Sequence, residues 1–183
     1  EGIKDMNLVK GRFEKIDLGQ PFLCIVDYAH SPDALERLII GAKELAVEHV
    51  SHRCRKNTPH IITVFGCGGD RDRGKRPKMG RIATMLSDFT IITSDNPRTE
   101  DPLSIIKDIE SGVMSKNYVV IPDREEAIKI AIEMAKSDDV VLIAGKGHED
   151  YQEIKGKRYK FSDKEVAEKY IKKRIKDDKY IMK

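Results

Sequence analysis

The chain has 183 residues, of which 39% are hydrophobic and 36% are charged, a composition typical of one globular domain with a heavily charged surface. The formal net charge of +3 is too small to indicate nucleic-acid binding by itself. No apolar run approaches the length of a membrane-spanning helix or of a signal segment. We therefore expect neither a nucleic-acid nor a membrane partner.

The N-terminal part of the chain predicts two strands and a helix. Residues 1–10 show no periodicity, and we expect them to form a linker from an upstream region. Phe13–Leu18 alternates like a strand, and Phe22–Val26 is the short all-apolar run of a strand buried on both faces. Ser31 is suited to cap a helix over about 32–50, which begins with proline.

The centre of the chain predicts a βαβ unit, around which the rest is organised. An apolar strand at His60–Phe65 leads into a glycine-rich polar loop over 66–77. A helical pattern follows from about Lys78 to Ser87. A second apolar strand, Phe89–Ser94, ends in the polar loop Asp95–Arg98.

The C-terminal part continues the alternation of strands and helices. The predicted elements are a helix over 102–113, a strand at Tyr118–Ile121, a helix capped by Asp123, a strand at Val140–Ala144, a hairpin over 152–161 and a helix capped by Asp163. We expect the charged end to fray from Lys172 and to leave a tail over 176–183. The pattern predicts a three-layer α/β sandwich with a mostly parallel six-stranded sheet.

Four polar loops follow apolar strands, beginning at Asp27, Gly66, Asp95 and Gly145. The carboxyl ends of parallel strands lie on one edge of a sheet, where ligands bind. Glycines let the backbone approach a ligand, and arginines bind carboxylate or phosphate in a bidentate manner. The side chains that we expect to converge there are Asp70, Arg71, Asp95, Asn96 and Arg98.

The segment Gly69–Lys75 has the GxxxxGK spacing of a phosphate-binding P-loop, between a strand and a helix. However, Arg76 stands where a serine or threonine would bind magnesium, and Asp70 and Asp72 would place negative charge in the phosphate cradle. A stand-alone nucleotide-binding module or NTPase is therefore the second hypothesis. The loop is better suited to bind a ligand that carries both a positive and a negative charge, such as an amino acid, or to contact only the edge of a nucleotide, than to hold a phosphate.

Several of these residues also have simpler explanations. Asp70–Arg73 can form salt bridges within its own loop, and Asp95–Arg98 can be a proline turn. His30 can be an ordinary residue at the start of a helix. Cys24 and Cys67 fit small buried hydrophobic positions.

The basic connection over 51–59 raises two further possibilities. His49, His52 and Cys54 resemble a sparse metal set, but their spacing matches no zinc pattern, and we predict no metal site. Arg53–Lys56 has little aromatic interleaving, so a solvated face is a better explanation than a nucleic-acid patch. The three cysteines form no CxxC pair and leave one unpaired in any disulfide scheme, which predicts reduced thiols in the cytoplasm.

Six stretches resemble the C-terminal domain of the Mur ligases, ATP-dependent amide-forming enzymes of peptidoglycan precursor synthesis. In the order of the family they are Gly11–Glu14, Asp27–Asp33, Gly66–Pro77, Thr93–Arg98, Asp123–Arg124 and Gly145–Glu149. The likeness is greatest to the members that add the third residue of the stem peptide. It implies a Rossmann-like domain, which we assign to residues 11–175.

The resemblance also implies that most of the catalytic machinery lies upstream. In the family, a central domain carries the P-loop, the magnesium ligands and a carbamylated lysine, and an N-terminal domain holds the UDP-sugar. ATP phosphorylates the terminal carboxylate of UDP-MurNAc-L-Ala-D-Glu, and the amine of the incoming amino acid then attacks the acyl phosphate. ATP and Mg²⁺ would therefore be bound mainly by an upstream domain, and this domain alone is expected to be inactive, with no catalytic residue of its own.

The resemblance implies two sets of binding residues by their positions in the motifs. The amino-acid pocket would be formed by Arg71, Asp95, Asn96, Pro97, Arg98, Gly145 and Glu149. The nucleotide edge would be met by Arg12, Asp27, Tyr28 and His30.

The form Asp-Asn-Pro-Arg goes in the family with meso-diaminopimelate. The distal end of this substrate has a carboxylate for Arg98 and an ammonium for Asp95 and Glu149. Lysine lacks that carboxylate and would leave Arg98 unpaired, which lowers affinity. A lysine-adding or other Mur ligase is the alternative.

Overall fold

The computed structural model describes residues 11–51 and 58–181. The predicted linker over 1–10, the pair His52 and Cys54 of the sparse metal set, and the basic segment Arg53–Lys56 lie outside the described residues.

A six-stranded sheet forms the centre of the domain. Its strands are β1 (Glu14–Ile16), β2 (Leu23–Asp27), β3 (Ile61–Phe65), β4 (Phe89–Ile92), β5 (Tyr118–Val120) and β6 (Val140–Ala144). Their order across the sheet is β1-β2-β6-β3-β4-β5. β1 pairs with β2 in the antiparallel sense, and all other pairs are parallel. The predicted sheet is confirmed.

In the described part of the chain, five helices cover the two faces of this sheet. They are α1 (Pro32–Ser51), α2 (Lys75–Leu86), α3 (Pro102–Glu110), α4 (Arg124–Met134) and α5 (Asp163–Ile181). Helices α1, α2 and α3 pack on one face, and α4 and α5 pack on the other, which confirms the three-layer sandwich. Within the described ranges, no helix combines the length and apolar composition needed to cross a bilayer.

Strand β6 shows why the apolar runs of the sequence form the middle layer. Val140, Leu142 and Ala144 face the cluster under α1 to α3, whereas Val141 and Ile143 face the cluster under α4 and α5. All five side chains are fully buried. Because side chains alternate along a strand, a strand that is covered on both sides must be apolar at every position.

The predicted hairpin is present as β7 (Tyr151–Ile154) and β8 (Lys157–Lys160). Its turn residues, Lys155 and Gly156, have φ angles of 50° and 71°. The hairpin is attached to the loop after β4. The Arg98 N–H donates to the Glu153 carbonyl at 2.9 Å, the Lys155 N–H donates to the Arg98 carbonyl at 2.6 Å, and Arg98 forms a parallel bridge with Ile154.

Helix α2 begins at Lys75, earlier than the predicted start at Lys78. Pro77 therefore lies in the first turn, where its missing N–H removes no intrahelical hydrogen bond. The Arg76 N–H donates to the carbonyl of Arg73 at 3.0 Å. The glycine-rich loop is correspondingly shorter than predicted and ends at Gly74.

Helix α5 differs from the prediction at both ends. Asp163 is its first residue and not its cap, and the Ser162 hydroxyl accepts the Glu165 N–H at 3.4 Å. The helix runs on past Lys172, so the predicted fraying is wrong and the predicted tail over 176–183 begins inside the helix. Ile175 packs one turn beyond the buried Ile171 on the same apolar cluster, which holds this part of the helix to the domain.

Candidate functional site

The carboxyl ends of β2, β3, β4 and β6 open into one cleft of about 280 Å³. β6 separates β2 from β3 in the sheet, and open α/β sheets bind ligands where the strand order reverses in this way. The residues predicted for the amino-acid pocket that line the cleft are Arg71, Asp95, Asn96, Arg98, Gly145 and Glu149. Pro97 lies instead in the wall of a neighbouring groove.

The glycine-rich loop after β3 packs directly on the backbone of the 95–98 loop. A Cβ on Gly66 would lie 2.2 Å from the Thr93 carbonyl oxygen, and one on Gly69 would lie 1.9 Å from that of Pro97. The Gly69 N–H also donates to the Asn96 carbonyl at 2.9 Å. Any side chain at these two glycines would push the loops apart, so the sequence needs glycine here to keep them in contact.

Arg76 anchors the glycine-rich loop from inside the domain. Its fully buried guanidinium donates to Glu100 at 2.7 and 2.9 Å, to Asp108 at 2.8 Å and to the Gly68 carbonyl at 3.2 Å. Arg73 donates to the same Glu100 carboxylate at 2.8 Å. The two guanidinium groups, Arg76 first, hold the pKa of Glu100 well below its usual range.

Three backbone N–H groups of the P-loop-like segment are used inside the protein. Those of Gly69 and Asp70 donate to the Asn96 carbonyl and to Glu100, and that of Gly74 donates to Asp72. A P-loop presents such N–H groups to phosphate. This loop instead supports the 95–98 loop, which argues against a phosphate cradle.

Asp95 and Gly145 form the floor of the cleft. Asp95 is 8% exposed, and one of its oxygens accepts the N–H of Asn96 at 2.6 Å. Gly145 has a φ angle of 121°, and a Cβ there would lie 2.6 Å from the other Asp95 oxygen. Glycine is thus required both by the backbone conformation and by the position of the carboxylate.

The side-chain amide of Asn96 is held at both ends. Its Oδ1 accepts the Lys146 ammonium and the Glu153 N–H, each at 2.9 Å, and its Nδ2 donates to Glu149 Oε2 at 2.8 Å. Lys146 also donates to Glu149 Oε2 at 2.9 Å. Asn96 is 1% exposed, whereas the Glu149 side chain is 18% exposed and reaches the cleft.

Arg98 is aimed by its own unusual backbone and by two neighbours. Its φ angle is 52°, in the left-handed region. One N–H of the guanidinium donates to the Gly69 carbonyl at 2.7 Å, and Nε lies 3.7 Å from a carboxylate oxygen of Glu153. The bond to Gly69 uses one of five N–H donors, and the guanidinium lines the cleft.

Arg71 and Asp70 point in different directions. Arg71 is exposed at the cleft and donates to the Asp70 carbonyl at 3.0 Å. The Asp70 carboxylate accepts the hydroxyl of Thr99 at 2.7 Å and its N–H at 3.2 Å. The expected convergence is therefore wrong for the Asp70 side chain, which ties the two loops together and lies outside the cleft lining.

The residues predicted for the nucleotide edge are divided in the same way. Tyr28 and His30 line the cleft, with ring centroids 4.6 Å apart. Asp27 lies outside it, and its two oxygens accept the N–H groups of Phe13 and Ala29 at 2.6 and 2.7 Å. Arg12 is exposed and also lies outside the cleft lining.

A buried ion pair between Arg124 and Asp163 lies beneath the cleft and links the carboxyl ends of β4 and β6. Arg124 binds Asp163 through Nε and Nη2, both at 2.8 Å, and neither side chain is exposed. The same guanidinium donates to the Ser94 carbonyl at 3.2 Å and to the Ala144 carbonyl at 3.0 Å. These carbonyls immediately precede Asp95 and Gly145, so Arg124 sets the spacing of the two loops.

Over residues 11–51 and 58–181, no group of three or more His, Cys, Asp or Glu side chains is arranged to hold a metal ion.

Comparison with known proteins decides the family. A family model described as the Mur ligase, glutamate ligase domain matches residues 11–147. The chain belongs to the Mur ligase family. The match covers the loops after β2, β3 and β4 and the start of the loop after β6, which line the cleft.

Two curated relatives and one solved structure resemble this Mur ligase domain along most of its length. The UDP-N-acetylmuramoyl-L-alanyl-D-glutamate–2,6-diaminopimelate ligase of Fusobacterium nucleatum is 49% identical over 170 residues, which are 92% of this chain and 33% of that protein. The enzyme of the same name from Clostridioides difficile is 51% identical over 175 residues, or 94% of this chain and 34% of that protein. A solved structure with this name aligns with a TM-score of 0.76 at 42% identity and covers 91% of this chain and 32% of that one. The Mur ligase domain thus spans about a third of the length of the relatives it matches.

Two lysines at the Mur ligase cleft were not predicted as site residues from the sequence. Lys75 lines it and donates to the His30 carbonyl at 2.7 Å, whereas its position in the sequence indicated only the end of the P-loop-like segment. Lys146 is fully buried beside Asn96 and Glu149, but a lysine in a polar loop is usually solvated. Its only signal in the sequence was its place between two glycines that follow a buried strand.

Proposed function

We propose that this domain binds meso-diaminopimelate and presents its amine to an acyl phosphate within a full-length ATP-dependent ligase of peptidoglycan precursor synthesis. The observation that carries the proposal is the cleft itself, in which Arg98 and Arg71 lie with Asp95 and Glu149. Two guanidinium groups and two carboxylates suit a substrate that has carboxylates and ammonium groups at both ends.

The proposed selectivity depends on Arg98. Its guanidinium is fixed by the Gly69 carbonyl and retains donors for a substrate carboxylate. Meso-diaminopimelate supplies that carboxylate at its distal end, while lysine would leave the guanidinium unpaired and so bind less well. The relatives named above are diaminopimelate ligases, which favours the same substrate for this chain.

The proposed chemical contribution is positioning. ATP would convert the terminal carboxylate of UDP-MurNAc-L-Ala-D-Glu into an acyl phosphate, whose carbonyl carbon the substrate amine attacks with release of phosphate. A domain that holds the amine near that carbon and excludes water replaces an encounter in solution by a reaction between bound groups.

We infer that ATP and Mg²⁺ are bound mainly by upstream domains of the same protein, which are then the partners of this one. The N–H groups of Gly69, Asp70 and Gly74 in the P-loop-like segment donate within the domain, which supports this inference. Within the cleft, Tyr28, His30 and the neighbouring Lys75 would contact the edge of the nucleotide. Arg12 and Asp27 lie outside the cleft lining and would have to contact the nucleotide from there. The buried free thiols of Cys24 and Cys67 are consistent with a cytoplasmic enzyme.

Steady-state kinetics of the full-length ligase test the proposal. Arg98→Ala should raise KM for diaminopimelate by about tenfold or more, because it removes hydrogen bonds to a charged group, and should leave KM for ATP unchanged. Arg81→Ala, which changes an exposed arginine of α2, is the matched control. Turnover with lysine equal to or faster than turnover with diaminopimelate would refute the assignment.

The nucleotide-binding alternative has its own test. ATP hydrolysis by the isolated domain that is lost in Lys75→Ala would favour an NTPase that uses Gly69–Lys75. Our proposal predicts no hydrolysis above background for either protein.

A further inference from the structure

Lys146 is a buried charge at the edge of the cleft. It directly follows Gly145, and its side chain is fully buried although it carries an ammonium group. A buried ammonium is expensive to desolvate and persists only where other groups compensate it. Its Nζ lies 2.9 Å from Asn96 Oδ1, 2.9 Å from Glu149 Oε2 and 5.5 Å from the centroid of the Tyr151 ring.

These contacts fix the orientation of two groups in the cleft wall. Lys146 and the Glu153 N–H are both donors and both face Asn96 Oδ1, so the amide nitrogen must point to Glu149. Glu149 Oε2 therefore accepts two hydrogen bonds from inside the domain. A ligand ammonium arriving from the cleft would meet the other oxygen, Oε1.

Stability alone is a weak explanation for this arrangement. Ion pairs in a protein interior are often no more stabilising than apolar side chains of similar volume, because of the desolvation that they require. In contrast, a binding site gains from side chains that are locked before the ligand arrives, since no ordering is then needed on binding.

We propose that Lys146 is a positioning residue of the amino-acid pocket, which locks the Asn96 amide and the Glu149 carboxylate so that Glu149 receives the substrate ammonium. The inference rests on the proposed function and adds to it a residue that the substrate does not touch. Without the ammonium, Asn96 keeps its bonds to Glu153 and Glu149, so the loop stays folded. The Glu149 carboxylate, however, loses one of its two internal donors and can rotate.

The test uses the full-length ligase with Lys146→Met, which removes the charge and keeps much of the volume. We expect KM for diaminopimelate to rise by about tenfold or more, with kcat and KM for ATP within about twofold of wild type. Lys146→Gln, which can replace one of the two bonds, should raise KM in the same direction by a smaller factor. It also serves as the test if the methionine variant does not fold.

A double-mutant cycle and a matched control separate positioning from general damage. In a Glu149→Gln background, Lys146→Met should raise KM by less than about threefold, because the two residues act as one unit. Asp139→Asn changes a buried charge just before the opposite end of β6, where Asp139 accepts the His60 and Lys136 N–H groups, and should lower Tm without a selective change in KM for diaminopimelate.

Three results would overturn the inference: an unchanged KM in the folded Lys146 variants, equal rises in KM for diaminopimelate and ATP, or fully additive effects of Lys146 and Glu149. A wild-type enzyme that prefers lysine would overturn the proposed function instead. The two failures are therefore distinguishable.

Discussion

Replacing Arg124 by methionine should destabilise the domain strongly. The substitution removes two 2.8 Å bonds to Asp163 and the bonds to the Ser94 and Ala144 carbonyls, and it leaves a fully buried carboxylate without its cation. Breaking a buried pair from one side costs about 3–5 kcal/mol. At roughly 2–4 °C per kcal/mol for a domain of this size, Tm should fall by about 6–20 °C.

Thermal and urea unfolding of the 183-residue chain measure this effect. Lys169→Met is the matched control, because it breaks the 2.6 Å pair with Glu125 in which the lysine side chain is 63% exposed, and it should cost less than about 1 kcal/mol. The double variant Arg124→Met with Asp163→Leu removes both charges and should be more stable than Arg124→Met alone. If Arg124→Met unfolds like the control, or if the double variant equals the sum of its two single variants, the reasoning about the buried charge is wrong.

Three further predictions concern the cleft and its anchors. Gly145→Ala should lower the free energy of unfolding by about 1–3 kcal/mol and weaken diaminopimelate binding, because the new Cβ would clash with the Asp95 carboxylate. Calorimetry of the full-length protein measures both unfolding and binding. Wild-type values for the variant would contradict the clash. The pKa of Glu100 is depressed in the folded state, chiefly by Arg76, so its ionised carboxylate stabilises the fold above about pH 4.3, the unfolded value, and this stabilisation is lost as pH falls towards the folded value. Glu100→Gln should therefore flatten the acid side of a curve of unfolding free energy against pH. An unchanged acid side would exclude the pair of Glu100 and Arg76 as its cause. Burial raises the pKa of Cys67 to about 12, so peptide-resolved alkylation at pH 8 should be slow in the native protein and fast in urea, whereas equal rates would mean that the thiol is accessible.

The layers of the fold were predictable because local patterns specify them. The run Val140–Ala144 was predicted with its observed bounds, since five consecutive apolar residues between polar segments have the length and composition typical of a strand covered on both faces. Asp123 caps α4 as expected, with its side chain accepting the Glu126 N–H. The start of α2 was predicted late because Pro77 reads like a helix boundary, although proline is equally compatible with a first turn.

The site was predictable to the level of loops but not of side-chain partners. Loops that follow parallel strands must meet at one edge, and Arg98, Asp95 and Glu149 do so. The sequence alone could not show that Asn96 accepts a hydrogen bond from Lys146, since these residues are far apart in the chain and no local pattern relates them. For the same reason, Asp163 was predicted to cap a helix, whereas its carboxylate binds the distant Arg124.

The parallel bridge between Arg98 and Ile154 has a consequence for attempts to exchange, between enzymes of this family, the substrate preference proposed above for the 95–98 loop. The 95–98 loop is in effect one edge of a small sheet whose other strands are β7 and β8. If only residues 95–98 were replaced by those of another ligase, the new loop would have to pair with a hairpin that differs from its own. Transfer of the preference should therefore require residues 151–160 as well, moved together with the loop as a single module.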